Sequence, residues 1–169
     1  VGYYNAFCRM TVIADGGSTV SARGVCWSTS ENPTIANDHT TTAGSEMGSS
    51  THFMNGLDDG TKYYVRAYAT NGIETAYGNQ LSFSTNFIAS TSGSWNDPGT
   101  WGGAIPDSST NVELGYGITV TIPSGKATAQ CKDLVVPSIS CLNVDGSLHV
   151  NGNLLIQSGN DGNGSVINK

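Results

Sequence analysis

The chain is 169 residues long, enough for one ordinary domain or two small ones. Charged residues make up only 12%, about half the ~25% usual in globular domains; glycine, serine, threonine and asparagine fill the gap, a balance that disfavours long helices. The apolar 37% alternate with small polar residues, which excludes a disordered chain and points to an all-β protein. The net charge of −6 is spread evenly, four basic against seven acidic residues up to Asn86 and three against six beyond it, so neither part holds the basic patch that a nucleic-acid partner needs. No run approaches the roughly 18 apolar residues of a membrane span, and VGYYNAFC lacks the charged-then-apolar start of a signal peptide, so the chain reads as a mature or excised segment. Four cysteines suit an oxidising compartment without requiring one.

Up to about Thr85, alternating apolar runs are broken by turn signals roughly every 8–12 residues, the spacing of a β-sandwich. A first run ends at Thr11-Val12-Ile13, Asp15-Gly16-Gly17-Ser18 turns, and Gly24-Val25-Cys26-Trp27 follows, closed by Glu31-Asn32-Pro33. Asp58-Asp59-Gly60-Thr61 precedes the strongest β run, Tyr63 to Ala69, and Gln80 to Ser84 forms the last strand. Period-two alternation sets Tyr63, Val65, Ala67 and Ala69 against Tyr64, Arg66 and Tyr68 on the other face. The spacing Leu57-x5-Tyr63 resembles a tyrosine corner, whose hydroxyl ties a crossover to nearby backbone, and this assigns Tyr63, Val65 and Trp27 to the core.

The stretches ARGVCWSTSENPTI and GLDDGTKYYVRAYATNGIETAYGNQLSFST resemble the fibronectin type III-like domain of large secreted and cell-surface proteins of gliding, polymer-degrading Gram-negative bacteria. The resemblance covers about half the chain and implies a β-sandwich over residues 1–86. Asp59 stands where such domains usually carry proline, and the first sandwich strand is barely represented, so the chain is expected to begin inside the domain.

Beyond Asn86 the small polar stretch Ala89 to Ser94 is of linker type and marks a boundary. Apolar pairs of the form L-x-V then recur at Leu134/Val136, Leu142/Val144, Leu148/Val150 and Leu154/Ile156, in steps of 8, 6 and 6 residues, with Val112/Leu114 and Ile118/Val120 as earlier members. Short regular strands separated by Asp145-Gly146, Asn151-Gly152 and Ser158-Gly159 suit a coiling β-solenoid, in which each rung buries its pair on its neighbours. A second sandwich or a set of hairpins is the alternative, since Asp-Gly and Asn-Gly also favour tight antiparallel turns. The motif WNDPGTWGG followed by PDSSTNVEL and GITVTI resembles the opening of G8-like, glycine-rich β modules that precede β-helical regions, which implies such a module over residues 87–169, cut short at its C-terminal end.

Signals of catalysis are weak. His39, His52 and His149 lack metal-ligand spacing and read as surface or strand histidines, and Asp58 and Asp59 read as turn formers. No cofactor is expected. Asn160-Asp161-Gly162-Asn163-Gly164-Ser165 alternates oxygen-bearing side chains with glycine as calcium loops do, with Asp161 and Asn163 as candidate ligands, but it lacks a terminal bidentate Glu and equally suits an ordinary turn. Trp95 and Trp101 flank a Pro-Gly turn and serve either as sugar-stacking platforms or as core, while Tyr64, Tyr68 and Arg66 share a sheet face suited to a cation–aromatic ladder or a ligand. Cys131 and Cys141, ten residues apart, are open to a disulfide between neighbouring strands; Cys8 is expected toward the core and Cys26 on the opposite face of its strand.

The resemblances together imply a non-catalytic structural and adhesive module pair of a large extracellular or outer-surface bacterial protein. Its partners would be other modules of the same polypeptide, cell-surface or secretion proteins, or glycans, and export would follow the type IX secretion route. The alternative is a carbohydrate-binding accessory segment of a polysaccharide-degrading enzyme, with Trp95, Trp101, Tyr64 and Tyr68 as its platforms.

Overall fold

The computed structural model describes residues 3–44, 47–125, 128–157 and 165–168, and the chain divides into two compact units, Tyr3–Thr85 and the residues from Asn86 on. The architecture is all-β, as composition requires. In the first unit the strands are β1 (Tyr3–Val12), β2 (Val20–Ser28), β3 (Asp38–His39), β4 (Thr42–Ala43), β5 (Gly48–Asp58), β6 (Lys62–Asn71), β7 (Thr75–Tyr77) and β8 (Leu81–Ser84). β1 pairs antiparallel with β5 as a two-stranded sheet. The second sheet is built on β2 and β6, with β3 and β4 on β2 and with β7 and β8 on β6.

Alternation decides which side chains meet. Met10 and Val12 of β1, Met54 and Leu57 of β5, Val25 and Trp27 of β2, and Tyr63 and Val65 of β6 join in one core drawn from both sheets, which places Trp27, Tyr63 and Val65 as expected. Asn55 and Gly56 together oppose Asn5 as a β-bulge with Gly56 at φ 73°, so the alternation resets and both Met54 and Leu57 face inward. The hydrogen bond expected of the Leu57-x5-Tyr63 spacing is present, the Asp58 N–H donating to Tyr63 Oη at 3.0 Å.

In the second unit the strands are β9 (Phe87–Ala89), β10 (Gly93–Ser94), β11 (Val112–Leu114), β12 (Thr119–Ile122), β13 (Ala129–Cys131), β14 (Leu134–Val136), β15 (Cys141–Val144), β16 (Leu148–Val150), β17 (Leu154–Ile156) and β18 (Ser165–Asn168), with a 3-10 turn at Pro98–Trp101. Every pairing among the described residues of this unit is parallel, in three sheets ordered β9-β11-β14-β17, β10-β12-β15-β18 and β13-β16. Hairpins pair antiparallel, so the hairpin reading of the Asp-Gly and Asn-Gly signals does not hold, and the solenoid-like arrangement does. The steps of 8, 6 and 6 residues are the three sides of one coil: Phe87 pairs with Val112, Val112 with Leu134, and Leu134 with Leu154, coils of 25, 22 and 20 residues.

Strands of three or four residues bury their alternate positions, and Val112, Leu114, Val120, Ile122, Leu134, Val136, Leu142 and Val144 fill the interior coil upon coil. Two pairs differ from expectation, and of these Leu154 and Ile156 of β17 are exposed. The inward residues of β12 are Val120 and Ile122, while Ile118 precedes the strand and packs partly buried against the core. The linker-type stretch is also corrected, because Ala89 ends β9, Gly93–Ser94 forms β10, and Ser92 Oγ accepts the Thr119 N–H at 2.9 Å. The glycines at the corners serve stacking: a Cβ on Gly146 would lie 2.4 Å from the carbonyl oxygen of Pro123, one coil earlier.

Candidate functional site

Each candidate takes its surroundings from the strand or turn that carries it. Asp97 caps the 3-10 turn by accepting the Gly99 N–H at 2.9 Å, and the turn brings Trp95 and Trp101 together edge to face with ring centroids 4.9 Å apart. Trp101 Nε1–H donates to the Trp95 carbonyl at 2.8 Å. The two residues are only 1% and 3% exposed, inside the solenoid core with Ala89 and Leu114. A stacking platform must face solvent, so Trp95 and Trp101 are removed as ligand-binding candidates.

Tyr68 lies on the sheet face away from the core, as its parity requires, yet it is only 3% exposed. The segment between β2 and β4 folds over it: its hydroxyl donates to the Thr40 carbonyl at 2.7 Å, and the His39 ring stands edge-on at 6.3 Å. It is therefore no platform either. Tyr64 is half-buried with Lys62 Nζ 4.9 Å above its ring. Arg66 sits 4.7 Å over Tyr77 and donates Nε–H to the Gly78 carbonyl at 3.0 Å, so the ladder on this face is internally satisfied, with Tyr77 as its second aromatic.

Cys131 and Cys141 are not joined. Residues one coil apart pair in a parallel stack, whereas a spacing of ten sets the two cysteines on different sides of the stack, β13 in one sheet and β15 in another, with β14 of the third between them along the chain. Burial, followed by the nearby negative charge of Asp133, pushes the Cys131 thiol up to about 11. Denatured without reductant, the chain is expected to give four titratable thiols, and a count of two would indicate a bridge; in the native state at pH 8 Cys131, fully buried, should remain unmodified by a thiol reagent. Cys8 packs partly buried against the core and Cys26 lies fully buried on the opposite face, with Sγ 3.4 Å from the Pro33 carbonyl. Asp161 and Asn163 lie outside the described residues.

Two features had no sequence signal. One is a polar hollow of about 460 Å³ in the first unit, lined by Trp27, Thr29, Asn37, Asp38, Asp58 and Tyr63 among others. Its carboxylates accept hydrogen bonds, its amide and hydroxyls do both, and no Lys, Arg or His contributes to its wall among the described residues, so its chemistry suits a neutral, hydroxyl-rich molecule better than an anion. The other is His52, buried on the core side of β5 while His39 and His149 are exposed. Comparison of the chain with protein families, with curated proteins and with solved structures finds no match.

Proposed function

We propose that the chain is a non-catalytic pair of structural and adhesive modules from a large secreted or cell-surface bacterial protein. Tyr3–Thr85 is read as a fibronectin type III-like β-sandwich and the part from Asn86 on as a G8-like module opening a β-solenoid. The sequence resemblance supports the first assignment, together with the two antiparallel sheets and the Tyr63 hydroxyl tie. The observation that carries the functional reading is the parallel stack of coils, each resting only on its neighbours, which is a construction for extending and displaying surface at small conformational entropy cost. Export by the type IX route is part of the same reading.

A second reading, the glycan-binding accessory segment, is favoured by the polar hollow and now rests on Asp38 and Asp58 in place of the tryptophans. Adhesion, turnover and glycan-array measurements together separate the readings. Beads coated with the chain are expected to hold to bacterial cell surfaces under flow better than albumin-coated beads, and the chain should turn over no glycoside, ester or peptide substrate. Turnover would overturn the non-catalytic reading, and adhesion equal to albumin would overturn the adhesive one. Saturable binding on a glycan array, lost in Asp38→Asn with Asp58→Asn and kept in Trp101→Phe, would establish the second reading instead.

A further inference from the structure

His52 is 4% exposed between the two sheets of the first unit, yet both of its ring nitrogens are within hydrogen-bonding distance of a hydroxyl. Nδ1 is 3.0 Å from Thr40 Oγ1, on the segment that edges the six-stranded sheet, and Nε2 is 2.8 Å from Ser50 Oγ, two residues earlier on β5. The neighbours fix the hydrogens one by one. A proton on Nε2 is the arrangement of these contacts that places every hydrogen: Nε2–H gives to Ser50 Oγ and the Ser50 O–H to Met10 Sδ at 3.1 Å, whereas a proton on Nδ1 leaves the Thr40 hydroxyl hydrogen with no acceptor in the group. Nδ1 is then the bare acceptor and takes the Thr40 O–H, while Thr40 Oγ1 receives the Val25 N–H at 3.2 Å. The chain of hydrogen bonds runs one way, from Val25 through Thr40, His52 and Ser50 to Met10.

We propose that this chain is a proton-operated latch, holding the Thr40 segment of one sheet to β5 of the other while His52 is neutral and releasing it when His52 gains a proton. A second ring proton on Nδ1 would point at an oxygen whose own hydrogen then loses its acceptor, so Thr40 and His52 cannot stay bonded as they are. The charges around the ring oppose the cation as well. From β2 the buried Arg23 guanidinium adds its positive field, from β1 the facing titratable group is the Cys8 thiol, in register with His52, and Thr40 brings no charge. Burial first, then Arg23, holds the His52 imidazolium below the usual histidine range.

The sign of the pH dependence follows. With the native state reluctant to bind a proton that the opened state binds near its ordinary value of about 6.5, the latch is at full strength above that pH and weakens as pH falls below it. Between pH 7.5 and 5.5 the opening equilibrium of the Thr40 segment should rise, towards a ceiling of about tenfold reached when a full proton is taken up per opening. The test is amide hydrogen exchange, corrected for intrinsic rates, on the whole chain at those two pH values. The expected result is a loss of protection, up to about tenfold, at Val25 and over 38–43 in the wild type and no pH-dependent loss in His52→Gln, whose amide does not titrate. A flat wild type, or an equal response in His52→Gln, overturns the latch. Nitrogen-15 spectra of wild-type His52 test it without a variant: a proton on Nε2 and a midpoint below 6.5 are expected, and a proton on Nδ1 or an unshifted midpoint overturns it.

Discussion

Trp101→Ala is expected to cost the second unit about 3–5 kcal/mol, the usual penalty for truncating a buried tryptophan, and to leave the first unit folded. Trp101 is 3% exposed, packs edge to face on Trp95 and ties its indole N–H to the Trp95 carbonyl, so its loss opens a cavity and frees an acceptor at once. The first coil has little to replace it, because the 3-10 turn stands where later coils place a third strand. Each unit has its own core cluster, so calorimetry should resolve two transitions, with only one lowered in the variant. A uniform downward shift of both, or none, would refute this assignment of Trp101. Trp101→Phe, which keeps an aromatic body but loses the N–H, should fall between the variant and the wild type.

Gly24→Ala is expected to be as damaging to the first unit, through overpacking instead of a cavity. A Cβ on Gly24 would lie 1.9 Å from the Thr40 carbonyl oxygen and 2.9 Å from Tyr68 Cε1. Neither obstacle yields easily, since Thr40 N–H donates to the Val25 carbonyl at 2.9 Å and Tyr68 is held through its hydroxyl to the Thr40 carbonyl. Overpacking usually costs about 1–3 kcal/mol, and a backbone obstacle puts this case at or above the top of that range. Gly78→Ala is the control, because a Cβ there meets Ala67 at 3.6 Å, an ordinary contact. Denaturant midpoints should fall sharply for the first variant and stay within about 0.5 kcal/mol of wild type for the second. Equal midpoints would show that the Thr40 strip is not pressed against β2.

The solenoid coils were legible because the inner three- and four-residue strands bury alternate positions, so β11, β12, β14 and β15 each leave an apolar pair two residues apart. What the pattern did not carry was which of Ile118, Val120 and Ile122 make the pair of β12, since all three alternate correctly and the choice falls to the register of Val120 with Gly93 and Leu142. Small polar residues from Ser90 to Ser94 read as a linker, yet the same composition suits a tight coil corner: a Cβ on Gly93 would meet Thr100 Oγ1 at 2.5 Å. Parity put Tyr68 on the correct face and still misjudged its exposure, because the covering segment comes from residues far off in sequence. His52 carried no signal for a related reason. Its partners are Thr40 and Ser50, residue types common throughout this chain, and only the meeting of the two sheets singles them out.

The direction of the parallel ladders has a mechanical consequence. In the second unit the sheet hydrogen bonds run between coils, so tension drawn along the stack pulls them apart one layer at a time, a peeling mode that yields at low force, and does not shear many together. Each coil set free releases the 20 to 25 residues between paired positions. At up to about 3.5 Å per residue that is roughly 70–90 Å of new length, so a stretched stack would give way in regular increments and act as an extensible tether.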